Sequence, residues 1–386
     1  MRLIGKFVLT GFLLALSFST FAQDIFDEKA VEEEILPSFE EIAQEDFDYA
    51  EADTILRVAV VLSDIYSKKD MEFARGMLLG IRNAGLPANS VSIKMVNGEI
   101  TADSLQFELE NFEPHVIIET FDKEMPHLLL AYTQTHGNKL VNVFDAKGGE
   151  YLYNKGVYQL LSPSEVFNAN VSEFFTANFP GNELLMVGDP DTSENMIRDL
   201  IVAWPEDDLL IVTKEDLPLF SLDGDANYLI CPVYSSAQDV KETLSEVTRM
   251  ISETPSAGVR IIGRPNWVAF NDLSSMIANM EAFIPARCYF DPSNPESRQF
   301  ITEYNEEFGH TPIRSYPVYA VMGYDTASFF LPEFLSGLRG NPDSQIAADL
   351  LQSYFNMKQS GYSGFYNTGN YMLHYEPWGT MKKLLN

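Results

Sequence analysis

The stretch that decides the fold is PESRQFITEYNEEFGHTPIRSYPVYAVMGYD, residues 295–325. Within it Phe300, Tyr304 and Phe308 recur every four positions, a spacing that stacks three rings on one face of a helix. Gly309 stands just past the last ring and Pro312 follows soon after, which is how such a helix stops. Periodicity of this kind alone fits an amphipathic helix on any core. The sequel Tyr319-Ala320-Val321-Met322-Gly323-Tyr324-Asp325 adds a second pattern that periodicity does not explain.

Outward from this stretch, the first 22 residues read as a secretory signal. Arg2 and Lys6 precede an apolar run at 7–16, and Ser19-Thr20-Phe21-Ala22 supplies small residues for cleavage before Gln23. The run is roughly half the ~20 residues that a spanning helix needs, and no cysteine follows it to accept a lipid. The expectation is an exported protein, periplasmic or secreted and soluble after cleavage, without membrane insertion. Cys231 and Cys288 then meet an oxidising compartment, where a disulfide and a pair of buried small hydrophobes are both open readings.

Removing the signal leaves about 360 residues, more than the usual ~100–200 per domain, which points to two lobes. The net charge of −30, from 26 basic and 56 acidic groups, excludes nucleic acid and adhesion to anionic lipid, since both demand basic patches. Much of that charge is local. Residues 23–54 carry Glu32-Glu33-Glu34, Glu40-Glu41, Glu45, Asp46, Asp48, Glu51 and Asp53 against Lys29, and read as an acidic flexible linker. The alternative is a docking tail for a partner.

Past Thr54 short apolar runs alternate with amphipathic stretches. Residues 56–62 form a near-continuous β-branched run, the pattern of a buried parallel strand, and 71–83 read as the helix after it. Strands are expected at 91–96, 116–120, 140–144 and 157–161, then in a second series at 184–187, 209–212, 228–231 and 260–262, with helices between them such as 125–135 and 237–251. This alternation gives an α/β fold of two doubly wound parallel sheets covered by helices on both faces.

Ligands of such sheets bind beyond the carboxyl ends of the strands. The loops at those ends hold Ser63 and Tyr66 after the first strand, Thr120 and Phe121 after the third, and Asp145 after the fourth. In the second series they hold Asp189, then Tyr234, then Asn266 and Trp267. Catalytic patterns are lacking. The chain has no Gly-x-Ser-x-Gly elbow, no His-Glu-x-x-His helix and no phosphate-binding loop of the Walker type. His127 and His136 lie on different faces of their helix, and the other histidines are scattered. The expectation is a non-enzyme with no catalytic residues, no metal and no cofactor.

The run Pro-x4-Phe-x3-Tyr-x3-Phe-Gly-x2-Pro followed by Tyr-Ala-x2-Gly-Tyr-Asp resembles the type I periplasmic solute-binding proteins of the branched-chain amino-acid class, the leucine-binding-protein-like substrate-binding components of ABC transporters. The resemblance covers 56–378, and is strongest at 263–325 and 57–83. It implies two lobes, 55–162 plus 287–340 and 163–286 plus 341–386, joined by three chain crossings and closing on a small solute. Gly361-Tyr362-Ser363-Gly364-Phe365 matches the family's late glycine-rich turn.

Amino-acid-binding members hold the ligand carboxylate with small hydroxyl residues and backbone amides on lobe one, and its ammonium with an acidic side chain on lobe two. The matching segments here are 120–124 and 144–148, where Thr120 alone keeps that chemistry. The acidic position falls near Pro265-Asn266, which supplies no charge, while Tyr234 matches a family pocket tyrosine. An ammonium left unpaired in a closed cleft loses a charge-assisted hydrogen bond of ~1.5–3 kcal/mol. The candidate ligand set is therefore Tyr66, Phe121, Tyr234 and Trp267 for stacking, with Ser63, Thr120, Asp145 and Asn266 for polar groups. Two functions follow. One is a receptor for a small polar or aromatic-bearing solute, serving a membrane permease or a sensor in amino acid transport. The other is a cell-envelope interaction protein, like relatives that regulate peptidoglycan synthesis or hydrolysis.

Overall fold

The computed structural model describes residues 55–122, 125–190, 195–338, 347–361, 363–376 and 381–385. The signal and linker readings, together with Lys123, Glu124, Asp191 and Tyr362, lie outside the described residues.

Among the described residues, fifteen strands and nine α-helices follow one another, alternating as predicted through the first two thirds of the chain. β1 (Leu56–Leu62), α1 (Lys68–Asn83), β2 (Val91–Asn97), α2 (Ala102–Phe112), β3 (Val116–Glu119), α3 (His127–His136), β4 (Lys139–Asn142) and β5 (Val157–Gln159) make the first series. The second is α4 (Ser164–Asn178), β6 (Glu183–Val187), α5 (Asn195–Ala203), β7 (Leu209–Val212), β8 (Asn227–Pro232), α6 (Ala237–Glu253), β9 (Gly258–Ile262), α7 (Ser274–Asn279) and β10 (Ala282–Ala286). Then come α8 (Pro295–Phe308), α9 (Tyr319–Leu338) and five short strands, β11 (Ala347–Asp349), β12 (Tyr354–Gln359), β13 (Phe365–Asn367), β14 (Tyr371–Tyr375) and β15 (Met381–Leu385).

These strands form two mixed sheets. One has eight strands in the order β11-β12-β13-β5-β4-β3-β1-β2, the other seven in the order β15-β14-β10-β9-β8-β6-β7. β1 to β9 pair in parallel, as βαβ crossovers require, while β11-β12, β12-β13, β10-β14 and β14-β15 are antiparallel. The terminal strands were absent from the sequence expectation. They divide between the sheets, β11 to β13 joining the first and β14 and β15 the second. By backbone contacts the described chain separates into two compact units, 1–119 with 290–344 and 120–289 with 345–386.

The central strands are largely apolar because both faces are covered. Along β6, Leu185 and Val187 pack on one side with Val240, Leu244 and Val247 of α6. Leu184 and Met186 pack on the other with Phe167, Val171 and Phe175 of α4 and with Met196, Ile197 and Leu200 of α5. Successive residues point to opposite faces, so a strand buried on both sides reads as an unbroken hydrophobic run.

The stretch at 295–325 folds as its spacing predicts. Asn294 caps α8 by accepting the Glu296 amide at 3.0 Å, and Gly309 ends it in the left-handed region at φ +75°. Phe300 and Tyr304 are buried with ring centroids 5.7 Å apart, and half-buried Phe308 lies 4.8 Å from Tyr304. The Tyr304 hydroxyl donates to the buried Glu72 carboxylate of α1 at 2.9 Å, and the Ile313 amide donates to its second oxygen at 2.9 Å. α9 packs on α1 through small residues. A Cβ on Gly76 would overlap the Ala320 carbonyl, and one on Gly323 would overlap that of Phe73.

Neither cysteine takes part in a disulfide, and both are buried. Cys231 sits in the core under α4 and α5, where burial pushes its thiol up to about 12. The structure thus takes the buried-hydrophobe reading, not the disulfide.

Candidate functional site

The carboxyl ends of β6, β7, β8 and β9 open into a cleft of about 560 Å³, placed as the strand-end rule anticipates. Gly188 ends β6 at φ +114°, and a Cβ there would lie 2.9 Å from the Tyr234 hydroxyl and would also strike Val233, so the turn closes beneath Tyr234 only with glycine. Ser236 caps α6, whose first turn forms one wall. Its hydroxyl accepts the Asp239 amide at 3.2 Å and donates to Asp239 Oδ2 at 2.5 Å.

The backbone carrying Tyr234 is held by the loop after β9. Arg264 Nη1 donates to the Val233 carbonyl, Trp267 Nε1 to that of Tyr234 at 3.3 Å, and Asn266 Nδ2 to that of Ser235 at 2.8 Å. Three successive carbonyls thus receive three side-chain donors from one loop. Tyr234 is left half-buried on this fixed backbone, its phenol pushed above the ordinary value by burial.

Charge in the cleft is compensated internally. Lys214, just past β7, places its ammonium 2.6 Å from Asp239 Oδ1, 2.6 Å from Glu242 Oε2 and 5.4 Å from the centre of the Tyr234 ring. Hydrogen bonds from Lys214 hold both carboxyls below their usual range, and donating to Asp239 and then to Glu242 holds the ammonium above its own. A depressed folded-state carboxyl stabilises the fold above its unfolded value, and that contribution is lost as pH falls through the folded value. Melting curves of wild type and Lys214→Met should therefore differ by a constant amount near neutrality and converge below about pH 4. A difference unchanged down to about pH 2 would show that this ion group contributes nothing.

The sequence candidates fall into separate loops. Tyr234, Asn266 and Trp267 come together, but Trp267 is only 1 % exposed and belongs to the core beneath the loop, so it is a support and not a stacking surface. Ser63 donates its hydroxyl to buried Asp70 at 2.7 Å, and the Asp64 amide donates to the same oxygen at 2.7 Å. Tyr66 projects from that loop, 74 % exposed. Thr120 is fully buried at the end of β3 and Phe121 beside it is half-buried. Asp145 accepts the Lys147 amide at 2.7 Å, while its own amide donates to Asn142 Oδ1 at 3.1 Å. Sequence reasoning missed Lys214 and Asp239, which complete the cleft. The signal was available in the polar run that follows the apolar strand at 209–212.

Among the described residues no group of three or more His, Cys, Asp or Glu side chains is placed to hold a metal ion. No helix among them is long and apolar enough to cross a membrane.

No protein-family model and no curated protein matches the chain. Solved structures do match. A putative branched-chain amino acid ABC transporter from Rhodospirillum rubrum superposes with a TM-score of 0.59 at 11 % identity, over 86 % of this chain and 100 % of that one. The fold is that of the type I periplasmic binding proteins. A second neighbour with this type I fold is the C-domain of LpoA from Haemophilus influenzae, a regulator of PBP1A, with a TM-score of 0.53 at 10 % identity over 85 % of this chain and 99 % of that domain. Full-length LpoA from the same organism gives 0.53 at 10 %, over 86 % of this chain and 60 % of the longer one. A type I fold at these identities carries binding proteins and a regulator alike, so function rests on the site.

Proposed function

We propose that this chain is an exported, non-catalytic solute-binding protein that captures a small polar or aromatic-bearing ligand at the cleft beyond β6 to β9. Hinge closure of the two lobes completes capture, and an ABC-type permease or a sensor reads the closed state. The observation that carries this reading is Tyr234, an aromatic ring half-buried in a cleft of about 560 Å³ on a backbone fixed by three side-chain donors. A cleft with an aromatic surface and convergent polar groups, here including Asp189, Thr213, Ser235 and Arg264, can hold and orient a small polar ligand. Asn266 Oδ1 is buried without a hydrogen-bond partner among the described residues, an acceptor for a ligand donor. Asp239 and Glu242 are committed to Lys214, while Asp189 and Glu215 add further carboxylates to the cleft wall. Contacts made only on closure would shift an open–closed equilibrium by their differential energy.

The test is a thermal-shift screen of the mature chain against amino acids, short peptides, sugars, nucleosides, aromatic acids and peptidoglycan fragments. A ligand at 100 times its Kd adds about 2.7 kcal/mol of stability. A reproducible rise for one ligand class, lost in Tyr234→Ala, is the expected result. No rise across the panel would remove the solute reading.

One observation favours a second reading, an envelope interaction protein that regulates peptidoglycan synthesis or hydrolysis. In the loops after β1 and β4 the candidate groups Ser63 and Asp145 are spent on internal hydrogen bonds.

A further inference from the structure

The seven-stranded sheet ends on one side at β7, which pairs with β6 alone among the described residues. Its other edge, β15, carries Lys382 and Lys383, the charge by which edge strands discourage further pairing. β7 has no such protection. Its sequence is Leu209-Leu210-Ile211-Val212, without charge or proline. Leu210 and Val212 pack against the core on the α6 side and Leu209 against the core on the α4 and α5 side. Alternation gives Ile211 the face of Leu209, and there it is 53 % exposed. Val202, near the end of α5 and so over that same face, is 86 % exposed, and Leu219, soon after β7, is 83 % exposed.

The flanks of this apolar edge are acidic. Glu206, Asp207 and Asp208 form the turn before β7, and Glu215 and Asp216 follow it. The one basic residue between these flanks, Lys214, is neutralised by Asp239 and Glu242.

We propose that the outer edge of β7 is a docking site for an extended segment of a partner protein, apolar at its centre and basic at both ends, which adds to the sheet as a further strand. Main-chain hydrogen bonds to β7 would supply affinity, and Ile211 with Val202 would receive the partner's apolar side chains on one face. The acidic flanks select the basic ends and reject acidic strands. They also reject a second copy of this chain. Antiparallel self-pairing centred on β7 sets Glu206 of each copy against Glu215 of the other, and Asp207 against a Lys214 already neutralised by Asp239 and Glu242. The site adjoins the cleft, whose lining includes Lys214 and Glu215, but its occupant is a peptide strand on the outer edge of β7 rather than a solute.

The test uses the peptide Lys-Lys-Val-Thr-Val-Thr-Lys-Lys carrying a fluorescent label, titrated with the full-length mature chain and followed by anisotropy. The expected result is saturable binding that weakens at least tenfold in Ile211→Lys and in Val202→Lys. N-methylation of alternate peptide amides should weaken it similarly, and rising salt should weaken it too. Both substituted side chains are mostly exposed, so the variants fold, and unchanged melting curves check this. Absence of binding, or equal binding by Ile211→Lys, overturns the proposal. Sedimentation as a dimer that Ile211→Lys dissolves would also overturn it, by giving the edge to a second copy.

Discussion

Gly76→Ala is expected to lower the melting midpoint by roughly 4 °C, equivalent to about 3 kcal/mol in a chain of this size. The added methyl would overlap the Ala320 carbonyl of α9, which is backbone and has no rotamer through which to withdraw. Alanine gains about 1 kcal/mol of helix propensity over glycine, so the steric cost must exceed that for any loss to appear. It does, because relief requires α1 and α9 to part, and Phe73, Met77 and Met322, all fully buried, lose contacts along the whole crossing. Gly337→Ala is the internal control. It lies in the same helix α9, where a Cβ meets nothing within 4 Å, so propensity acts alone and stability should hold or rise slightly. Equal losses in both variants would refute the crossing argument.

Trp267→Ala carries the second large effect, a loss of about 3–5 kcal/mol with or without ligand. The indole is 1 % exposed and packs with Leu273, Ile284 and Tyr371, and its removal also frees the Tyr234 carbonyl from its donor. Tyr234→Ala should behave in the opposite way, with a modest change in stability and a complete loss of ligand response. Denaturant titration of the two variants, each with and without the ligand from the thermal screen, separates the roles. Wild-type stability in Trp267→Ala would return the indole to the list of ligand contacts.

These two residues also mark how far the sequence could be read. An aromatic at the end of a parallel strand is equally compatible with lining a cleft and with filling the space below it. The short 3-10 turn at Pro265–Ala269 decides the matter by turning Trp267 inward, and no periodicity announces that turn. The nine parallel strands were legible because double-sided burial writes an apolar run. β12, reading Tyr-Phe-Asn-Met-Lys-Gln, and β15, reading Met-Lys-Lys-Leu-Leu, lie towards or at the sheet margins with one face wet, and carry no such run. β10 holds Pro285 within a strand, which argues against a strand in any reading from composition. Tyr234 was found by its place beyond the end of a strand, and its likeness to a family tyrosine added to that. Lys214 was missed because its partners, Asp239 and Glu242, stand a strand and a turn away in sequence and meet it only in the folded chain.

The division of the last strands between the two sheets has a consequence for how the molecule is made. β11 to β13 complete one sheet and β14 and β15 the other, so neither can be finished while residues beyond 347 are still inside the ribosome. Until those strands emerge, a nascent chain of this design stays open along two margins, so the segment at 347–385 is the point at which closure of both sheets is committed.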